Sequence, residues 1–197
     1  MLETLQRNAS AGASSPTPTV EGVLAGWREG LTIINLRCDA DDPAVQEAAA
    51  SVLGFRLPMK ACTYEGDVVR AHWAGPDDWF IIGPSGQAEV LLQRLRSALA
   101  SRHHSVTDVS SGYTVLHMSG ASARAILAQA CPIDLHPRAF STGACVGSQF
   151  FAASVWLWQT DEAPVYELLV RRSFMGYVWL MVERASSECG LVIRRVL

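Results

Sequence analysis

From Leu31 onward, the pattern of apolar and polar positions divides the chain into two runs with the same order of elements. Leu31-Thr32-Ile33-Ile34-Asn35-Leu36-Arg37 is apolar and β-branched, which predicts a strand. The run ends in Asp41-Asp42-Pro43, where Asp42 can cap a helix and Pro43 can occupy its first position. Val45, Ala48, Ala49, Val52 and Leu53 then recur at helical spacing up to Gly54, a left-handed terminator. Residues 68–73 and 79–82 predict two strands joined by Ala74-Gly75-Pro76-Asp77-Asp78, whose Pro and Gly suit a tight turn. A second helix is expected from Ser85 as cap through Val90, Leu91, Leu95 and Leu99.

The second half repeats this order. Tyr113-Thr114-Val115-Leu116-His117-Met118 predicts a strand, and residues 123–130 a helix with Ile126 and Leu127 on its apolar face. Two long strands follow over 149–159 and 165–171, then a last helix capped by Ser173 with Phe174, Tyr177, Val178, Met181 and Ala185 facing inward. The link after the first helix of each half is echoed, Gly54-Phe55-Arg56-Leu57-Pro58 against Ala128-Gln129-Ala130-Cys131-Pro132. The expected fold is α+β: a two-lobed duplication of split β-α-β-β-α units, each an antiparallel sheet with helices on one face. The lobes would span 31–105 and 106–197 as one compact unit. Residues 1–30, rich in Ala, Ser, Thr and Pro as far as Val20, are expected to form a disordered or extended N-terminal arm.

Composition adds a constraint on the surface. Apolar residues reach about 55% of the 197 when Gly is counted and Tyr is not, and charged residues are 18%, against about a quarter in ordinary domains. Such a chain either holds a large core or has part of its surface covered by another protein, and composition leaves both open. The net charge is −3 and the basic residues are scattered, so no phosphate-backbone footprint exists and nucleic acid is not an expected partner. The longest apolar stretch, 150–158, is interrupted by Ser154 and is too short to span a bilayer. The N-terminus lacks a basic segment followed by an apolar one, so the expectation is a soluble, cytoplasmic protein with no membrane contact. Cys38, Cys62, Cys131, Cys145 and Cys189 are odd in number and form no C-x-x-C pair, as free thiols of a reducing compartment would.

The candidate chemistry is sparse. No G-x-G-x-x-G, G-x-x-x-x-G-K-[ST] or G-x-S-x-G is present, so a flavin or nicotinamide site wholly inside the chain is not expected. Cys131-Pro132-Ile133-Asp134-Leu135-His136-Pro137 gathers a thiol, a carboxylate and an imidazole, but not at metal-ligand spacing, and its two prolines mark an extended connector. Asp77 and Asp78 fall in the predicted turn, where Asp serves local hydrogen bonds. His72 and His117 lie inside strand-like runs and read as hydrogen-bonded core or interface histidines, while His103 and His104 follow a helix. No catalytic, cofactor-binding or metal-binding residue is assigned. Trp156 and Trp158 share one strand face while Phe151, Val155 and Leu157 fill the other, so both sides of that sheet are apolar and one needs cover from the second lobe or a partner. The candidate partner interface is therefore Trp156, Trp158 and Phe174, with Arg171 and Arg172 at its rim.

Several segments together resemble a known family. They are Asn35-Leu36-Arg37, Gly75-Pro76-Asp77-Asp78-Trp79, Asp108-Val109-Ser110 with Thr114-Val115-Leu116, Cys131 through Phe140, and Val170-Arg171-Arg172-Ser173-Phe174. They are similar to the gamma subunit of heterotetrameric sarcosine oxidase, from Leu31 to about Ala185. Cys38 and Asp78 depart from the Gly and Glu of that pattern. The resemblance implies a non-catalytic subunit of a complex that oxidatively demethylates sarcosine or a related N-methyl amine, assembled with alpha, beta and delta subunits. It also implies that FAD, FMN, NAD, zinc and tetrahydrofolate are held by those partners, and that the fold is similar to folate-binding aminomethyltransferase domains. The alternative is a standalone folate-binding or one-carbon-transfer module of the aminomethyltransferase type.

Overall fold

The computed structural model describes residues 22–188 and 191–193. The elements are β1 (Val23–Arg28), β2 (Thr32–Cys38), α1 (Pro43–Leu53), β3 (Tyr64–Gly66), β4 (Arg70–Gly75), β5 (Asp78–Gly83), α2 (Ala88–Ala98) and β6 (His104–Asp108). They continue with β7 (Tyr113–Ser119), α3 (Ala123–Ala130), β8 (Cys145–Phe150), β9 (Ala153–Asp161), β10 (Val165–Arg171), a 3₁₀ turn at Arg172–Phe174, α4 (Met175–Ala185) and β11 (Leu191–Ile193). One sheet has the order β3-β4-β5-β2-β6, the other β11-β1-β7-β10-β9-β8.

The expected duplication is visible as topology. Shifting each strand number by five maps β3-β4-β5-β2 onto β8-β9-β10-β7, with α1 and α2 answered by α3 and α4. The edge differs. Beside β2 lies β6, but beside β7 lies β1, pairing antiparallel with Leu24 opposite Ser119, and β11 joins β1 in parallel. The first strand among the described residues thus completes the sheet of the second half. This corrects the expected arm over 1–30, whose residues 1–21 lie outside the described residues. It also introduces one parallel pair among the otherwise antiparallel pairs of the described residues, and β6 carries the first lobe past residue 105.

Alternation along the strands builds three cores. Ile34, Leu36, Trp79 and Ile81 face α1 and α2, while Leu116, Met118, Val155, Leu157 and Leu168 face α3 and α4. The intervening positions Ile33, Phe80, Ile82, Val115, Trp158 and Leu169 meet between the sheets. The result is four layers, helix, sheet, sheet and helix, with sheet packing at the centre.

Local signals explain most boundaries. Asp42 accepts from the Ala44 amide at 2.9 Å, Pro43 opens α1, and Gly54 closes it at φ 85. Neither expected serine cap forms. The second helix starts at Ala88 because Gln87 is held by Thr32, its amide donating to Oγ1 at 3.2 Å. Ser173 sits inside the 3₁₀ turn, where the Arg172 amide donates to Gly112 O, and Phe174 is 40% exposed rather than inward. The strand expected over 149–159 is two, broken at Phe151, which adopts φ 51 and donates its amide to Ala130 O.

Candidate functional site

Polar residues interrupt the apolar layer between the sheets at one place. β7 lies between β1 and β10, and register puts His117 opposite Gly26 on one side and Glu167 on the other. Glu167 in turn faces Trp158 on β9. Arg28 ends β1 on the same face and reaches Glu167 Oε1 at 2.6 Å, while Trp158 Nε1 donates to Glu167 Oε2 at 3.0 Å. The His117 ring stands 3.9 Å from Oε1 and its other nitrogen 3.3 Å from Ser119 Oγ. Burial pushes the Glu167 carboxyl up, but His117 and Arg28 outweigh it and bring it to about 2. A carboxylate held this far below neutrality and bonded at both oxygens is an anchor, not a proton acceptor poised for turnover.

The opposite sheet contributes His72 and Arg70 from β4. His72 is 1% exposed and lies between Tyr64, at 5.1 Å between ring centroids, and Trp158, at 4.3 Å. Neither ring nitrogen meets a partner at hydrogen-bonding geometry among the described residues, although the Phe80 backbone lies close enough to oppose its shift. Burial pushes its pKa down to about 3, so the ring is neutral. Arg70 stands over the Tyr64 ring at 5.7 Å and leaves its buried Nε unpaired. Between these groups opens a cleft of about 260 Å³, with Asp67 at its exposed mouth.

The residues expected to meet a partner divide. Trp158 is 1% exposed and belongs to the inter-sheet core, which corrects its placement at a surface. Trp156 is partly buried and packs edge-on against Phe80 at 4.8 Å. The first lobe, through Phe80 and His72, covers this face of the sheet. Arg171, Arg172 and Phe174 are exposed; Arg172 is tied to the Ser111 and Tyr113 carbonyls at 3.1 and 3.2 Å, and Arg171 lies over the Tyr113 ring. Cys131 is buried with its thiol pushed up to about 12, whereas His136 is exposed and its Nδ1 accepts from the Arg138 amide at 3.2 Å. That connector is held by local turns. Asp77 lies in the turn and Asp78 opens β5, and both bond across to β2 rather than locally: Asp77 pairs with Arg37 at 3.0 Å and Asp78 accepts from Asn35 at 2.6 Å. Among the described residues no three His, Cys, Asp or Glu side chains gather into a metal-binding group. Cys189 lies outside the described residues.

Arg28 and Glu167 are the residues that sequence reasoning missed. Glu167 carried a signal, as the one charged side chain in Val165-Tyr166-Glu167-Leu168-Leu169-Val170, where a buried charge demands a partner. Arg28 had none, because the strand that holds it pairs far away in sequence.

A family model described as the sarcosine oxidase, gamma subunit family matches residues 37–188. The chain belongs to that family. Sarcosine oxidase subunit gamma of Corynebacterium sp. (strain P-1) is 36% identical over 138 residues, 68% of this chain and 66% of that protein. The Arthrobacter sp. subunit is 37% identical over 125 residues, 61% and 60% of the two lengths. The gamma chain therefore spans just under two thirds of these curated relatives. Among solved structures, the heterotetrameric sarcosine oxidase of Corynebacterium sp. U-96, in complex with pyrrole 2-carboxylate, contains a chain that superposes with TM-score 0.79. That match has 29% identity and covers 85% of each chain. Glycine cleavage system aminomethyltransferase T of Bartonella henselae gives TM-score 0.66 at 12% identity, covering 88% of this chain and 48% of the other, a likeness of fold. The resemblance and the fold class expected from the sequence both stand.

Proposed function

We propose that this gamma-family chain is a non-catalytic subunit of a heterotetrameric sarcosine oxidase-type complex that oxidatively demethylates sarcosine or a related N-methyl amine. The observation that carries this reading is the match, over 85% of both chains, to a chain of the heterotetrameric enzyme of Corynebacterium sp. U-96. Its partners are alpha, beta and delta subunits, which hold FAD, FMN, NAD, zinc and tetrahydrofolate. The cluster around Glu167 agrees with a supporting role, since its ion pair fixes strands rather than presenting an acid or base. Phe174, with Arg171 and Arg172 beside it, is assigned to the partner contact, which should exceed the standard interface of about 1,600 Å². The aminomethyltransferase-type alternative rests on a likeness of fold at 12% identity and gains nothing further.

A tagged chain purified from its native host tests the proposal. The expected result is co-elution with larger, flavin-bearing subunits in a complex that oxidises an N-methyl amine. A chain recovered alone and monomeric, with no flavoprotein attached, would overturn it.

A further inference from the structure

The cleft between the sheets holds polar groups that the fold leaves unused. Arg28 is committed to Glu167, whose oxygens are also met by Trp158, and Asp67 stands at the exposed mouth. Arg70 is a cation with no ion pair among the described residues, and its buried Nε is unpaired. His72, 1% exposed, lines the same space, and neither of its ring nitrogens, one a donor and one an acceptor, meets a partner at hydrogen-bonding geometry among the described residues. Buried donors without partners are costly to a fold, so a ligand that satisfies both would bind with that penalty relieved.

We propose that this cleft is a binding site of the gamma chain itself for a small carboxylate of amino-acid size, held by Arg70 and His72 beside Trp158. A carboxylate matches the edge of a guanidinium with two parallel acceptors and can also take the imidazole N–H. Glu167 and Asp67 line the same space, so a dianion such as phosphate meets like charge there, whereas an ammonium group on the ligand would face them favourably. The cleft of about 260 Å³ falls below the roughly 300–1,000 Å³ of sites for drug-sized ligands. His72 and Trp158, together with Leu31 and Ile82, supply an apolar wall for a short carbon skeleton. The proposal goes beyond the subunit reading and does not rest on it.

Equilibrium dialysis with radiolabelled acetate and glycine tests the site, on the full-length chain together with any subunits that purify with it. If none do, the chain alone serves, so failure of the subunit reading leaves this test intact. Carboxylate sites on partners cancel when wild type is compared with Arg70→Gln, His72→Phe and the distant surface control Arg94→Gln. Wild type and Arg94→Gln should bind one equivalent per gamma chain, and the other two should bind about tenfold more weakly or less, the scale of a lost charged hydrogen bond. His72→Phe keeps the site's volume, so it reports even where Arg70→Gln fails to fold. Unlabelled glycine should displace acetate, and inorganic phosphate and methylammonium should not. Equal binding by wild type and both site variants, or displacement by phosphate at lower concentration than by glycine, would overturn the proposal.

Discussion

Glu167 and His72 are buried within one cleft, yet their environments drive their protons in ways that separate in pH. Burial pushes the Glu167 carboxyl up, but His117 and Arg28, the latter at 2.6 Å, outweigh it, so Glu167, normally near 4.5, titrates at about 2 when folded. Its contribution is complete above pH 4.5 and is lost only as pH falls from there toward 2. His72 is the reverse type of group, buried neutral, with burial and then Arg70 holding its value at about 3 against an ordinary 6.5. Below pH 6.5 the unfolded chain binds a proton that the folded chain refuses, so stability falls by about 1.4 kcal/mol for each pH unit down toward 3. The interval from 6.5 to 4.5 therefore belongs to His72. Urea midpoints measured across it should decline in wild type and be markedly flatter in His72→Phe, which removes the proton site at similar volume. Equal slopes in the two proteins would show that the acid sensitivity lies elsewhere. Of these residues, His72 was legible as a strand histidine, but not its lack of partners, because the ring that covers it, Trp158, comes from the other sheet.

Elements whose ends are set by nearby residues were readable, and those set across the molecule were not. Asp42, Pro43 and Gly54 bracket α1 within one contiguous segment, so both its ends follow from the sequence. The β8–β9 hairpin turns at Phe151, a residue that carries no turn preference, and is stabilised by Ala130 O and the Tyr177 hydroxyl, each more than 20 residues away. β1 was missed because it resembles the small-residue segment before it and pairs with β7 some 90 residues on. Two glycines separate conformational need from steric need. Gly54 has φ 85 and open space where a Cβ would stand, so Gly54→Ala should cost about 1 kcal/mol. Gly66, at φ 102, would put a Cβ 2.1 Å from Val69 O and 2.7 Å from the Phe55 ring. Gly66→Ala should cost roughly 2–4 kcal/mol, since strain and collision add. Denaturant midpoints rank the two variants, and a Gly66→Ala chain as stable as Gly54→Ala would contradict the tight β3–β4 turn.

At the scale of the whole molecule, the high apolar content that composition left unexplained is accounted for largely inside the chain. Both sheets are apolar on both faces because each packs helices on one side and the other sheet on the other. The sequence revealed the two apolar faces of β9 but not which of two covers applied, and Trp158 was placed with a partner when the chain's own first lobe buries it. The large apolar side chains left exposed among the described residues are few, and those at the proposed contact are Phe174, 40% exposed beside Arg171 and Arg172, and Leu180 on α4 at 42%. These two kinds of position should respond oppositely to mutation. Trp158→Ala would open a cavity in the central layer and strip the donor from Glu167 Oε2, costing on the order of 3–5 kcal/mol of folding stability. Phe174→Asp changes a side chain that the isolated fold leaves in water, so its urea midpoint should match wild type to within about 0.5 kcal/mol. In co-expression with the partner subunits the order should reverse for soluble, folded protein: Phe174→Asp should be retained poorly on a partner affinity tag, because it would place a charge at the apolar centre of the proposed contact. If Phe174→Asp co-purifies as fully as wild type, the contact lies on another face, and the assignment of Arg171, Arg172 and Phe174 to the partner falls with it.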